Sequence, residues 1–425
     1  MMFGGDDVGA LVIDTGSLST KTGFAGENIP KAVVPSFIGR GAVADGDDVA
    51  MRDEDTPAPT NAYVGQNLYY RRDNVEVTPA VEDGSICDFD ATEAIWRHSV
   101  ESILRIDATE HPLLLVESVF NTAENREKMC EIAMERFQCP AVFIAKDAVL
   151  SAFAAGRSTA LVLQCGAGIT SSVAVHEGYA LMQGKLRTRL AGNTLDDVFV
   201  KLLSASSNHP IEPHFMFKRE LASEGRTTVK RLDFPLTTAS YTDFMRRDVI
   251  RDIKHSVVRV SDVPFSSEVS SAIPTVPYEL PDGHVIDVGA ERFTLGEQLF
   301  NPSASLVDFK EDIDGYKFEG LPAMVRQAVD AVDVDVRREL YGNIVVTGGT
   351  SSIRGLSDRL TKELMATAAP AFKIKTLSVG THHERLFGSW IGASILGSLG
   401  SFQQMWFSRS EYEEHGARYI AEKCP

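Results

Sequence analysis

The sequence predicts an α/β protein built from two related lobes, and three observations support this prediction. The chain has 425 residues, more than a single hydrophobic core usually accommodates. A pattern of apolar strand, glycine turn and second strand occurs at residues 11–25 and again at residues 161–175. A third glycine turn follows another apolar strand near residue 344. Duplication on this scale predicts two lobes that share one architecture.

The composition indicates a folded protein with an acidic surface. Hydrophobic residues make up 44% and charged residues 24% of the chain, as in ordinary globular domains. There are 42 Lys and Arg against 59 Asp and Glu, a net charge of -17. This charge opposes attraction to phosphate backbones and excludes free DNA as the principal ligand. Basic histones or the nucleosome suit such a surface as partners, although the same charge also serves solubility.

The cysteines and the first residues of the chain indicate the cellular compartment in which we expect the protein. Five cysteines are scattered without a CxxC pair, so we expect reduced thiols and no zinc site. The apolar stretch at residues 8–13 is too short for a signal-peptide core or a membrane span. We therefore expect a nuclear or cytosolic protein with no membrane partner.

The three glycine turns together suggest a phosphate site. They lie at residues 14–17, 166–168 and 348–350, and successive backbone N–H groups in such turns form nests that bind anions. Lys21 follows the first turn and adds a positive charge, while the glycines of the third turn allow a nucleoside to approach closely. One such turn alone is typical of an ordinary hairpin, so this interpretation depends on all three.

The order of these turns resembles the two phosphate loops and the adenosine loop of actin. Further segments that resemble actin in sequence order are residues 22–26, 125–129, 178–181, 190–192, 251–254, 278–283 and 401–406. The resemblance covers nearly the whole chain and separates it from the sugar-kinase and heat-shock ATPase branches of the same superfold. It implies an α/β actin fold, with two lobes that each have a duplicated mixed-sheet core and a nucleotide cleft between them.

The resemblance also implies four subdomains. Subdomain 1 comprises residues 1–35, 66–147 and 386–425, and subdomain 2 comprises residues 36–65 with an acidic loop at 41–60. Subdomain 3 comprises residues 148–190 and 262–385, and subdomain 4 comprises residues 191–261. Because the acidic loop repels its own copies, it is a poor contact for self-association into filaments.

The glycine turns and the resemblance together assign a nucleotide site. The implied ligand is ATP or ADP, held as a structural ligand between the lobes. The assigned residues are Asp14, Gly16, Ser17, Lys21, Gly166, Gly168, Gly192, Lys254, Gly348, Gly349 and Ile353.

Several residues depart from actin's pattern at positions that serve hydrolysis. Gln164 and Ala167 stand where actin has aspartates, and Asp147 stands where it has a water-orienting glutamine. Loss of such a group costs roughly 10²–10⁴ in rate, so we expect no enzymatic activity and assign no metal ligand. The competing interpretation is that Asp147 replaces the glutamine and Asp14 alone holds a divalent cation. Further departures are Leu18, His255, Ile353 and Leu386.

Other segments resemble the nuclear actin-related protein 4 family, also called actin-like protein 6. They are residues 4–12, 153–159, 257–262, 273–279, 293–300, 411–414 and 423–425. The resemblance implies a non-catalytic scaffold subunit of nuclear chromatin remodelling or histone acetyltransferase complexes. It would bind a helicase-SANT-associated helix of the large subunit together with nuclear actin. The alternatives are a filament-forming cytoskeletal ATPase and a chaperone-like or sugar-kinase ATPase.

The same resemblance assigns a partner-helix groove, because the apolar cleft at actin's barbed end receives amphipathic helices. Tyr179 and Met405 are the stronger candidates, since aromatic and Met side chains are typical of adaptable grooves. Ile395, Leu396 and Leu399 have helical spacing, so burial in the core is the competing interpretation for each. The assigned residues are Phe153, Gly178, Tyr179, Ile395, Leu396, Leu399 and Met405.

Overall fold

A computed structural model of the chain describes residues 9–42, 60–207, 209–221, 227–266, 273–307, 313–378 and 380–425. The predicted acidic loop at residues 41–60 lies outside the described residues, except for its two ends. Those ends belong to two paired strands. Within the described part of the chain, no helix is both long enough and apolar enough to span a membrane.

The described residues form 21 strands, numbered here in chain order. They are β1 (Leu11–Thr15), β2 (Ser19–Phe24), β3 (Ala32–Pro35), β4 (Phe37–Ala42), β5 (Thr60–Tyr63), β6 (Val75–Pro79), β7 (Val81–Glu82), β8 (Ser85–Ile86), β9 (Leu113–Glu117), β10 (Ala141–Lys146), β11 (Ala160–Cys165), β12 (Thr170–His176), β13 (Tyr179–Ala180), β14 (Leu186–Thr188), β15 (Phe217–Leu221), β16 (Thr227–Arg231), β17 (Val276–Glu279), β18 (Val285–Val288), β19 (Ile344–Thr347), β20 (Thr376–Ser378) and β21 (Phe407–Ser408).

The same residues form 13 α-helices, several of which begin at a side-chain cap. Asp88, Thr122 and Thr238 each accept a hydrogen bond from a backbone N–H of the first turn, which satisfies a donor that has no partner within the helix. The helices are α1 (Phe89–Arg97), α2 (Ala123–Glu131), α3 (Asp147–Ala154), α4 (Gly192–Ser206), α5 (Ala239–Val257), α6 (Glu291–Glu297), α7 (Leu321–Asp330), α8 (Val334–Gly342), α9 (Leu356–Thr367), α10 (His382–Leu386), α11 (Gly388–Gly397), α12 (Arg409–His415) and α13 (Ile420–Lys423).

The first lobe is built on a six-stranded sheet with the strand order β21-β10-β9-β1-β2-β3. β1 pairs antiparallel with β2 and parallel with β9, and β9 pairs parallel with β10. The central residues Leu11, Val12 and Ile13 are buried, as expected for a continuous apolar strand that is covered on both faces.

The second lobe repeats this pairing. Its sheet has the order β13-β12-β11-β19-β20, with β14 also paired to β12. β11 pairs antiparallel with β12 and parallel with β19, and β19 pairs parallel with β20. The predicted duplication of a mixed-sheet core is therefore confirmed, and both glycine turns lie at the same point of their sheets.

The two lobes meet where α3 packs against α11. A Cβ atom on Gly392 would lie 1.9 Å from the carbonyl oxygen of Leu150, so only glycine lets the helices approach this closely. The hydroxyl oxygens of Ser151 and Ser389 lie 3.3 Å apart at the same crossing. This contact forms the base of the space between the lobes.

One predicted limit differs from the extent of a sheet in the structure. β6 pairs with β4, so the small sheet β5-β4-β6 extends beyond the subdomain 2 limit predicted at residue 65. The β15–β16 hairpin lies farther along the chain, in the predicted subdomain 4, and its strands contain adjacent charged residues and few apolar ones. Because β15 and β16 lack an apolar pattern, hydrophobic periodicity does not predict these two paired strands.

Candidate functional site

The turns after β1 and β11 face each other across the space between the lobes. The N–H of Gly16 donates to the carbonyl of Ser19 at 3.2 Å, and the N–H of Gly166 donates to the carbonyl of Ile169 at 3.0 Å. A Cβ atom on Gly168 would lie 2.5 Å from the Oγ of Ser17. A side chain at position 168 would thus force Ser17 of the facing turn to move.

Lys21 places a cation beside the first turn. It lies opposite Asp14 in the β1–β2 ladder, and its Nζ is 3.4 Å from Oδ2 of Asp14. A Cβ on Gly16 would lie 3.2 Å from the same Nζ. The ammonium group therefore sits over the turn, with a carboxylate as its neighbour.

The third turn packs tightly on β11. Gly348 has φ +90°, and a Cβ atom there would lie 2.3 Å from the carbonyl oxygen of Cys165. The hydroxyl of Thr350 donates to the carbonyl of Gly166 at 2.8 Å. Hydrogen bonding of this kind fixes the third turn directly against the second.

A buried ion pair lies on the second-lobe side of the cleft. Nζ of Lys254 is 2.5 Å from Oδ1 of Asp196 and donates to the carbonyl of Gly192 at 2.8 Å. Nε of Arg251 lies 3.4 Å from Oδ2 of Asp196. Burial lowers the pKa of Lys254, and Asp196 opposes this effect. Two basic side chains thus share one carboxylate, which leaves positive charge for an anionic ligand.

Asp147 lies at the start of α3 and lines the cleft. Its Oδ1 accepts hydrogen bonds from the N–H groups of Ala148 at 2.7 Å and Val119 at 3.2 Å. Burial raises the pKa of Asp147 to about 7, and the charges of Asp14 and Glu117 add to the effect. The carboxyl group is therefore held by backbone donors and titrates near neutral pH.

Ten of the eleven residues assigned to the nucleotide line one cleft between the lobes. Ile353 does not line this cleft, because its side chain is partly buried and packs against the core of the second lobe. Arg251 precedes Lys254 by one helical turn and Asn193 follows Gly192, so spacing alone could have found both. Other lining residues that the sequence analysis did not assign are Glu117, Ser118, Asp196, Thr350 and Arg385.

Besides the two ion-paired oxygens of Asp196, three polar atoms of cleft residues are buried without a hydrogen-bond partner. They are Oε1 of Gln164, Oδ1 of Asn193 and Nε of Arg385. Such atoms cost free energy unless a ligand or water satisfies them. They offer two acceptors and one donor for a polar ligand. Among the residues that the structure describes, no group of three or more His, Cys, Asp or Glu side chains could hold a metal ion.

The residues assigned to the partner-helix groove lie on α3, in and just before β13, on α11 and in the segment between α11 and β21. Tyr179 is 63% exposed and Met405 is 44% exposed. Ile395 and Leu399 are also exposed, so burial in the core is wrong for both. Leu396 is half-buried against the core of the first lobe.

The remaining groove residues are also at the surface. Phe153 is an exposed aromatic side chain on α3. Gly178 has φ +86°, and a Cβ atom there would meet nothing within 4 Å. Six of the seven assigned residues are thus exposed, and Leu396 is half-buried. The set that the resemblance assigns is called here the apolar groove: Phe153, Gly178, Tyr179, Ile395, Leu396, Leu399 and Met405.

Two mixed-sheet lobes with glycine turns facing each other across a cleft define a protein of the actin type. The family model described as Actin matches residues 5–425. The chain is 44% identical to actin-related protein 4 of Arabidopsis thaliana and 43% identical to that of Oryza sativa subsp. japonica, over the full length of both chains in each comparison. It is 39% identical to actin-related protein 4 of Yarrowia lipolytica, over 99% of this chain and 97% of that one. The chain belongs to the actin-related protein 4 family of the actin superfamily.

Proposed function

We propose that this protein is a non-catalytic scaffold subunit of nuclear chromatin remodelling or histone acetyltransferase complexes. In this role it binds a helicase-SANT-associated helix of the large subunit, together with nuclear actin. Its similarity to actin-related protein 4 supports the proposal. The single observation that carries it is the exposure of the apolar groove.

The groove has the properties that an amphipathic helix requires. Tyr179, Ile395, Leu399 and Met405 expose apolar surface to solvent, and burying apolar surface contributes about 25 cal/mol per Å². A helix with apolar residues at spacings of three and four covers such a groove with one face. Tyr179 supplies a rigid aromatic contact, and Met405 supplies an adaptable one.

We propose further that the cleft holds ATP or ADP as a structural ligand. The two facing turns offer a phosphate nest, and Lys21, Arg251 and Lys254 bring positive charge to it. The unsatisfied atoms of Gln164 and Asn193 are suitable acceptors for a nucleoside. A ligand that binds only the folded state stabilises the protein by mass action.

The residues of the cleft are not suited to hydrolysis of the nucleotide. Both backbone donors to Asp147 bond to its Oδ1, which fixes the carboxyl group at the start of α3. Orientation of an attacking water requires placement within a fraction of an ångström, which a shorter side chain rarely supplies. Gln164 and Ala167 provide no carboxylate for a cation, and Asp14 is paired with Lys21. We therefore assign no divalent cation.

Affinity purification of the tagged chain from nuclear extract tests the scaffold role. We expect a large subunit with a helicase-SANT-associated helix and nuclear actin to elute with it. Recovery of the chain without these partners contradicts the proposal. Pelleting of the purified chain in polymerising salt would instead favour the filament-forming alternative.

Thermal melting tests the structural ligand. We expect ATP to raise the melting temperature of ligand-free protein, while EDTA changes it little. An unchanged melting temperature at millimolar ATP contradicts nucleotide binding. Sustained release of phosphate over many turnovers contradicts the non-catalytic assignment.

A further inference from the structure

Three arginines from separate segments of the chain meet at one place in the second lobe. Arg259 follows α5 and pairs with Arg354 in an isolated parallel bridge, in which the N–H of Val260 donates to the carbonyl of Arg354 at 2.8 Å. The N–H of Arg259 donates to the carbonyl of Arg292, the second residue of α6, at 3.3 Å. We call Arg259, Arg292 and Arg354 the arginine cluster.

The cluster brings like charges together without a carboxylate between them. Arg259 and Arg354 are exposed, and residues directly opposite each other in a bridge project to the same face, where like charges are destabilising. Among the described residues, no carboxylate oxygen lies within 4.0 Å of a guanidinium nitrogen of the cluster. Arg359 differs, because it is paired with both Glu297 and Glu363. The charge of the cluster is therefore left for a ligand.

Arg292 is built into the fold and is only 7% exposed. Its Nε donates to the carbonyl of Val257, the last residue of α5, at 2.9 Å, and its Nη1 donates to the carbonyl of Pro274 at 3.3 Å. Burial lowers the pKa of Arg292, and the charge of Arg259 adds to this effect. Stabilising the end of α5 accounts for Arg292. It does not account for Arg259 and Arg354, whose side chains form no hydrogen bond within the described part of the chain.

Apolar side chains adjoin the cluster. Val263 lies four residues after Arg259 and is 56% exposed. Phe265 stacks on Phe293, with ring centroids 5.7 Å apart, and the guanidinium carbon of Arg292 lies 5.3 Å from the centroid of Phe293. Arginine and aromatic side chains are enriched in protein interfaces. The surface therefore combines cationic groups with apolar contacts.

We propose that the arginine cluster and the adjoining apolar side chains bind an acidic peptide segment of a partner protein, in which carboxylates alternate with apolar residues. Guanidinium groups bind carboxylates through paired hydrogen bonds. Val263, Phe265 and Phe293 then contact the apolar residues of the same segment. A short segment brings few negative charges, which suits three arginines.

Nucleic acid fits this surface less well. Duplex DNA carries one charge per about 1.7 Å of its axis, and the net charge of -17 on the chain repels such a ligand. None of the three arginines lines the cleft or belongs to the apolar groove. The inference therefore does not depend on the proposed scaffold role or on the proposed nucleotide.

Two matched pairs of variants test the surface. Arg354→Ser removes one exposed charge of the cluster, and Arg338→Ser is its control, because Arg338 is an exposed arginine on α8 without an ion pair to another described residue. Val263→Ser removes apolar contact, and Val334→Ser is its control, since Val334 is 67% exposed on the same helix α8. All four side chains are exposed, so we expect melting temperatures close to that of wild type.

Fluorescence anisotropy on the full chain measures binding of a labelled peptide with three Asp-Glu-Phe repeats. We expect saturable binding that Arg354→Ser weakens about tenfold, while Arg338→Ser changes it less than about twofold. Val263→Ser should weaken binding at least about threefold, with little effect of Val334→Ser. A peptide of Asn-Gln-Phe repeats should bind at least about tenfold more weakly than the acidic peptide.

Several outcomes would overturn the inference. They are no binding by the wild-type chain, equal weakening by Arg354→Ser and Arg338→Ser, and equal binding of the acidic and the Asn-Gln-Phe peptides. Tighter binding of a DNA duplex, lost in Arg354→Ser, would assign the surface to nucleic acid instead. If Arg354→Ser lowers the melting temperature, Arg259→Ser provides the same comparison with Arg338→Ser.

Discussion

Lys254 and Asp196 form an ion pair inside the second lobe, with Nζ 2.5 Å from Oδ1 and both side chains almost fully buried. Removing one member leaves the other charge buried without its partner. We expect Asp196→Ala to lower the free energy of unfolding by about 3–5 kcal/mol, measured by urea denaturation. The double variant Asp196→Leu, Lys254→Met removes both charges and should recover part of this loss. A single variant as stable as wild type would contradict the assignment.

The raised pKa of Asp147 predicts a pH dependence of stability. In the unfolded chain this carboxyl titrates near pH 4, whereas in the folded protein its pKa is about 7. The folded state therefore binds more protons between these values, so the contribution of Asp147 to stability falls as pH rises through this window.

Asp147→Asn should remove that dependence while keeping the shape of the side chain. Between pH 5 and pH 7, the free energy of unfolding should fall by about 1–3 kcal/mol less in the variant than in wild type, after allowance for solvent screening. Urea denaturation at several pH values measures the difference. Parallel stability curves for the two proteins would show that the pKa is not raised.

Gly178 and Gly348 have similar backbone angles, but we expect their substitution to lower the free energy of unfolding by different amounts. Gly348 has φ +90° and no room for a Cβ atom, whereas Gly178 has φ +86° and open space around it. Gly178→Ala should cost about 1 kcal/mol, from backbone strain alone. Gly348→Ala must also displace the β11 backbone, so it should cost at least about 3 kcal/mol. Similar unfolding midpoints for both variants would contradict the tight contact between the third turn and β11.

The exposed groove residues predict a loss of binding without a loss of folding. Tyr179→Asp with Met405→Asp should weaken binding of the partner helix at least about 30-fold, because a charge then replaces apolar contact. Met365→Asp is a matched control, since Met365 is 60% exposed on α9 and lies outside the groove. Melting temperatures of all three proteins should agree closely. Weakened binding by the control variant, or unfolding of the groove variant, would contradict the assignment of this surface.

The sequence predicts the fold well because its strongest signals are local. The strand–turn–strand pattern at residues 11–25 recurs at 161–175, and the structure gives both copies the same antiparallel and parallel partners. The glycine turns and the resemblance to actin together assign eleven nucleotide residues, and the structure places ten of them in one cleft.

The remaining features depend on contacts between distant parts of the chain. Asp196 and Lys254 lie on different helices, and Arg71 reaches Thr237 across the cleft. No periodicity within either segment predicts such a pairing. Ile353 follows the third glycine turn, and the sequence analysis therefore assigns it to the cleft. In the structure its side chain is partly buried against the core of the second lobe instead. The sequence also does not predict that Ile395 and Leu399 are exposed, because apolar residues have the same helical spacing on a core face and on a docking face.

We propose that this actin-related chain binds a helix rather than catalysing a reaction. Titration of the purified chain with a synthetic helicase-SANT-associated helix, in the presence of nuclear actin and followed by calorimetry, tests it most directly. We predict saturable binding at one helix per chain, with the negative heat-capacity change that accompanies burial of apolar surface. Absence of binding, or equal binding by the Tyr179→Asp, Met405→Asp variant, would contradict the account.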